Sequence, residues 1–226
     1  MLGFLVLGYL SCGETTNNNS DSNAKITKSK TDNNTPTKKE KKKKQVLFFG
    51  DSLTAGYGLE DPSDGYVGVL QQKADSLELD YQMVNAGVSG ETSSGGNDRI
   101  DWILAQNKID VFILELGAND GLRGIKTEET TKNLQSIFDK VKIKFPEAKL
   151  IVAGMLAPPN MGGDFTGKFA AIFSNLAKEN NAGFIPFLLD GVGGMPELNQ
   201  RDGIHPTVEG HKILADNVWK VLEERL

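Results

Sequence analysis

Two short stretches carry residue types suited to nucleophilic chemistry: Gly50-Asp51-Ser52-Leu53, early in the chain, and Asp202-Gly203-Ile204-His205, late in it. A serine hydroxyl attacks poorly until a base takes its proton, and near neutral pH that base is usually histidine. The chain has only two histidines. A carboxylate three residues before His205 can hold the ring in the tautomer that leaves Nε2 free to accept. The pair therefore reads as a serine hydrolase, with Ser52 as nucleophile and Asp202 and His205 as its partners. His211 lies six residues beyond His205, a spacing that does not put both on one helical face for a metal, and it reads as structural. The only cysteine is Cys12. That excludes an internal disulfide framework and leaves residues 46–226 without a thiol nucleophile or a Cys-based zinc site.

The elements that must position these groups follow from the apolar pattern. Apolar strand candidates lie at 46–49, 81–85, 110–115, 149–154 and 183–186, with helical candidates near 64–78, 96–106, 127–144, 166–180 and 207–225. Continuously apolar strands, each followed by a helix, predict an α/β fold with a parallel sheet of about five strands covered on both faces. In such sheets ligands bind beyond the carboxyl ends of the strands. Ser52, Gly87, Asn119, residues 155–163 and His205 all fall at that edge. Gly87, in Asn85-Ala86-Gly87-Val88-Ser89-Gly90, and Asn119, in Gly117-Ala118-Asn119-Asp120-Gly121, have the small or amide character wanted of oxyanion donors. Each is also an ordinary turn residue, and Ser52 an ordinary helix cap, when taken alone. The Gly-x-Ser-x-Gly elbow is not met, because Thr54 stands where the second glycine would be. No Gly-x-Gly-x-x-Gly follows a strand, which argues against a dinucleotide site.

Taken together and in order, Gly-Asp-Ser-Leu, Asn-x-Gly-x-Ser-Gly, Gly-x-Asn-Asp and Asp-x-x-His resemble the four blocks of the SGNH (GDSL) hydrolases. The resemblance spans residues 46–226. It is nearest to the bacterial thioesterase I/lysophospholipase L1/arylesterase branch, through Glu115 to Gly124 and Gly90-Glu91-Thr92-Ser93. Ala118 replaces the Gly or Thr usual in the third block. The resemblance implies a serine esterase working through an acyl-serine intermediate, with triad Ser52, Asp202 and His205. It implies oxyanion donors Ser52, Gly87 and Asn119, and no metal or organic cofactor. The implied fold is a three-layer α/β/α sandwich of flavodoxin-like kind and the implied substrate a small-molecule or lipid acyl ester; a monomer is expected. A carbohydrate O-acetyl esterase is the alternative enzyme, and a tethered, catalytically inactive binding module the non-enzymatic one.

Met155, Leu156, Ala157 and Pro158 are expected to bind the acyl group, with Leu188, Leu189, Val192 and Met195 completing an apolar groove. Residues 165–169 are read as a flap, and 88–95 as a flexible loop beside the oxyanion donors.

The remainder of the chain is of a different kind. Residues 13–45 are Asn-, Thr-, Ser- and Lys-rich and cannot bury enough apolar surface to fold, so they read as a disordered tether. Residues 1–45 hold nine lysines against four acidic residues, whereas residues 46–226 hold 16 basic against 26 acidic. A domain carrying −10 lacks the basic footprint of a nucleic-acid binder. Residues 1–10 are apolar but shorter than the roughly 20 needed to span a bilayer. With Ser11-Cys12 behind them, residues 1–12 resemble a bacterial lipoprotein signal. The expectation is export and lipid anchoring at Cys12 in the cell envelope, periplasm or outer membrane, as the only membrane attachment. A cleaved soluble signal is the alternative.

Overall fold

A computed structural model describes residues 43–226. Cys12, the signal-like segment and the tether up to residue 42 lie outside the described residues. Five strands, β1 (Lys44–Gly50), β2 (Tyr81–Gly87), β3 (Val111–Glu115), β4 (Lys149–Ala153) and β5 (Gly183–Ile185), form one sheet in the order β2-β1-β3-β4-β5. All pairings are parallel. The order reverses between β1 and β3, which makes their carboxyl ends the switch point where open α/β sheets bind ligands. β1 starts at Lys44, two residues inside the expected tether. Backbone pairing with β2 and β3 does not require apolar side chains, and Asp110 Oδ2 accepts the Gln45 N–H at 2.9 Å.

Among the described residues seven α-helices flank the sheet: α1 (Ser52–Ala55), α2 (Tyr66–Ser76), α3 (Ser93–Gln106), α4 (Ala118–Leu122), α5 (Thr127–Lys144), α6 (Gly163–Glu179) and α7 (Val208–Leu222). α3, α5 and α6 pack side by side on one face of the sheet, and α2 pairs with α7 on the other. The core sits between: Val46 to Phe49 and Val111 to Leu114 are buried on both faces, as a covered parallel sheet requires. No helix among the described residues is long and apolar enough to cross a membrane.

The expected flap is not one. Residues 165–169 belong to α6, and Phe169 is wholly buried, edge-on to Phe173 with ring centroids 5.4 Å apart. The aromatic pair that looked like a lid is core packing, because Phe169 falls on the buried stripe of an amphipathic helix. Residues 93–95, placed in a loop by the sequence, form the first turn of α3, capped by Thr92 Oγ1 accepting the Gly95 N–H at 3.3 Å.

Asp120 ties the layer together. Its carboxyl, fully buried, accepts Ser93 Oγ–H at 2.5 Å, Ser93 N–H at 2.8 Å and Thr130 Oγ1–H at 3.0 Å, joining α4 to α3 and α5. Removing it leaves buried donors unmatched. Asp120→Ala is expected to lower unfolding free energy by about 3 kcal/mol, read from urea denaturation. A loss below about 0.5 kcal/mol would show the tie to be incidental.

Candidate active site

The register of the sheet places Gly50 of β1 between Gly87 of β2 and Glu115 of β3. The chain leaves this row into α1, whose N-cap is Asp51 and whose first residue is Ser52. Asp51 Oδ1 accepts the Leu53 N–H at 3.1 Å, so aspartate and not serine caps this turn. Ser52 is thereby left at the first helical position, where its own N–H has no partner within the helix.

His205 arrives on the connection between β5 and α7. Its Nε2 lies 3.0 Å from Ser52 Oγ and its Nδ1 2.7 Å from Asp202 Oδ2. A carboxylate only accepts, so Nδ1 carries the proton and the Nε2 lone pair faces the serine hydroxyl. Asp202 is fixed by its own turn, its Oδ1 accepting the Ile204 N–H at 2.9 Å and the His205 N–H at 3.0 Å. The His205 ring and these two backbone N–H groups hold the Asp202 carboxyl down to about 2. The exposed ring of Tyr57 packs against the imidazole, centroids 4.5 Å apart. Gln200 bonds to the carbonyls of both Tyr57 (2.7 Å) and Pro206 (2.9 Å), binding the two halves of the site together. Nothing in the sequence pattern singles out Tyr57 or Gln200.

The three predicted oxyanion donors differ in placement. Ser52 and Asn119 line one cavity of about 550 Å³ together with His205. Asn119 Nδ2 donates to Asp51 Oδ2 at 3.0 Å and to the Glu91 carbonyl at 3.1 Å. Gly87 is not among the cavity's lining residues, and its N–H donates to Asn85 Oδ1 at 2.9 Å. The missing side chain at Gly87 makes room for α1, because a Cβ there would overlap the Ala55 amide.

Met155, Leu156, Ala157 and Pro158 all line the cavity, as does Leu189. Leu188 and Val192 do not: both are fully buried in the core, and Met195 is exposed away from the cavity lining. Three walls escaped the sequence reading: Leu122, one turn after Asn119 on α4, together with Phe187 and Ile204. Among the described residues no cluster of His, Cys, Asp and Glu is arranged to hold a metal ion. His211 is buried on α7, accepts the Tyr66 N–H on Nδ1 at 3.2 Å, and is pushed down to about 4 by burial and then by the His205 charge.

With the geometry in place, comparison defines the class. Residues 48–213 match the GDSL-like Lipase/Acylhydrolase family, and the chain belongs to it. It is an SGNH hydrolase acting on carboxylic ester bonds. Among similar proteins, Esterase TesA of Pseudomonas aeruginosa is 38% identical over 181 residues, 80% of this chain and 89% of that protein. Thioesterase 1/protease 1/lysophospholipase L1 of Escherichia coli K12 is 35% identical over 178 residues, 79% and 83% of the two chains. The crystal structure of TesA superposes with a TM-score of 0.77, covering 81% of this chain and all of that one. The psychrotrophic esterase EstA from Pseudoalteromonas gives 0.75 at 32% identity, covering 80% and 97%.

Two buried carboxyls lie beneath Ser52. Burial pushes Asp51 up to about 6, against the lowering effect of the Leu53 N–H, Asn119 and His205. Burial, and then the Asp51 charge, hold Glu115 well above the usual carboxylate range. Both therefore bind protons more tightly folded than unfolded, where carboxylates titrate near 4. Their contribution to stability is greatest below about pH 4 and declines as pH rises, through about 6 for Asp51 and in the same direction for Glu115. Glu115→Gln removes one of these titrations. The fall in thermal midpoint between pH 5 and pH 8 is expected to be smaller in the variant than in the parent, by calorimetry. An unchanged or steeper fall would show that Glu115 ionises as an ordinary carboxylate.

Proposed function

We propose that Ser52, His205 and Asp202 are the catalytic triad of this esterase. The observation that carries the assignment is His205 bridging Ser52 Oγ at 3.0 Å and Asp202 Oδ2 at 2.7 Å. Ser52 Oγ attacks the ester carbonyl as His205 Nε2 takes its proton, and Asp202 stabilises the imidazolium that forms. The tetrahedral oxyanion is held by the N–H of Ser52, the amide of Asn119 and the N–H of Gly87. An oxyanion is a stronger acceptor than the Glu91 carbonyl or the Asn85 amide oxygen, so it competes for the donors these now hold. His205 then protonates the leaving alcohol or thiol, and water releases the acyl group by the same route.

The substrate we infer is an acyl ester, with lysophospholipids and acyl thioesters in range. The relatives named as thioesterase and lysophospholipase support this range. So does the cavity, whose only ionisable lining residues are Asp51 and His205 and whose walls are Leu, Met, Ala, Pro, Phe and Ile. The apolar walls offer a carbohydrate leaving group few hydrogen-bond partners, which disfavours the O-acetyl reading. The protein acts as a monomer, and we propose that it is exported and anchored through a lipid on Cys12, on the strength of the apolar residues 1–10 and Ser11-Cys12.

With p-nitrophenyl acetate, butyrate, octanoate and palmitate, the full chain is expected to prefer an acyl group longer than acetyl. Ser52→Ala and His205→Ala are expected to lower kcat by on the order of 10⁶, and Asp202→Ala by a smaller factor of about 10⁴. Acetate as the sole substrate would reinstate the O-acetyl esterase, and activity surviving Ser52→Ala would defeat the triad. Mass spectrometry of protein from membranes should find a diacylglyceryl-modified Cys12 at a processed N-terminus. An unmodified Cys12 on an uncleaved chain would remove the anchor.

A further inference from the structure

We propose that Glu115 is a positioning residue of the acyl-transfer site: from beneath, its carboxyl holds the turn that presents Ser52 and, through Asp51, the amide of Asn119. This rests on the triad reading above.

One oxygen of Glu115, Oε2, accepts three donors from the nucleophile turn: Asp51 N–H at 3.2 Å, Thr54 N–H at 3.3 Å and Thr54 Oγ1–H at 2.6 Å. Ser52 lies between the residues so held. Tyr66 OH closes the set against Thr54 Oγ1 at 2.7 Å. Asp51 passes the constraint on through its Asn119 bond at 3.0 Å. A single buried carboxyl thus fixes the direction of both the nucleophile and one oxyanion donor. Gly50 makes this possible, because a Cβ there would overlap both Thr54 Oγ1 and the Glu115 carboxyl. The glycine of the Gly-Asp-Ser-Leu motif is the opening through which Glu115 reaches the turn.

Glu115 is wholly buried, and its other oxygen, Oε1, has no hydrogen-bond partner. Asp51, equally buried, is its immediate neighbour. Two adjacent buried carboxyls do not both ionise readily. Both Asp51 oxygens accept from N–H donors, whereas Glu115 Oε1 faces none, so Glu115 is the neutral member, its proton on Oε1 and its Oε2 the acceptor. A glutamine reproduces that pattern with a carbonyl oxygen at Oε2 and an amide at Oε1. A leucine removes the acceptor from all three donors.

The test is steady-state hydrolysis of p-nitrophenyl octanoate by the full chain, with circular dichroism and thermal melting to establish folding. Glu115→Leu is expected to lower kcat about 100-fold, as a small misplacement of reacting groups does, with KM within about threefold because the acyl walls are untouched. Glu115→Gln is expected to stay within about threefold of the parent. Thr54→Val, which removes one of the three bonds, is expected to lower kcat about three- to tenfold at unchanged KM, and decides the matter if the leucine variant does not fold. A folded Glu115→Leu or Thr54→Val enzyme with parental kcat, or a loss confined to KM, overturns the proposal. A glutamine variant as slow as the leucine one overturns the neutral form. Ser52→Ala run alongside separates the two levels: activity surviving in it defeats the triad reading itself, whatever Glu115 does.

Discussion

The catalytic edge depends on one row of the parallel sheet, in which Gly50 lies between Gly87 and Glu115. Two of these positions lack a side chain, and in each case the space is filled by α1 or by a group bonded to it. The third sends a carboxyl into the same space. Polar backbone groups at a buried turn must find partners. Here the amides of Asp51 and Thr54 find one in the adjacent strand, without spending any atom that faces the cavity. A shift of one residue in the β1–β3 register would turn Glu115 to the other face and leave the nucleophile turn without its support.

The proposed triad divides into a local part and a distant one. Asp202 and His205 are three residues apart and are held by the backbone of their own turn, so their bond forms wherever that turn forms. Ser52 is 153 residues from His205, and their contact exists only because β1 is central and the β5–α7 connection returns over its end. Gln200 and Tyr57 span that junction. The cavity follows the same logic, since α4, the segment after β4 and the connection after β5 each supply one apolar wall.

The opposing demands of the site are met by placement. Asp202 is exposed and strongly hydrogen-bonded, which keeps it ionised beside His205. Asp51 and Glu115 are buried, which raises their affinity for protons under a turn whose neighbour must stay polar. His211 is buried, which keeps its imidazole neutral and able to accept from Tyr66. Three carboxyls in one fold thus take different states from their surroundings alone.

The covered parallel sheet of about five strands and the candidate reacting groups were legible in the sequence. Apolar runs such as Val46 to Phe49 have no other stable place than a covered sheet, and a serine, a histidine and an aspartate at these positions have few other uses in common. Its boundaries were close where side-chain character changes sharply, as at Thr127–Lys144. They slipped where backbone pairing alone extends an element, as at Lys44. Only the tertiary structure decided which way each side chain faces. Leu188 and Leu189 are neighbours in sequence, yet one is core and the other lines the cavity. Phe169 lies in the core, and Glu115, at the end of the strand the sequence predicts over 110–115, lies beneath Ser52. The placement of Glu115 turns on register and on contacts between residues some 60 positions apart. Composition and local periodicity do not encode such contacts.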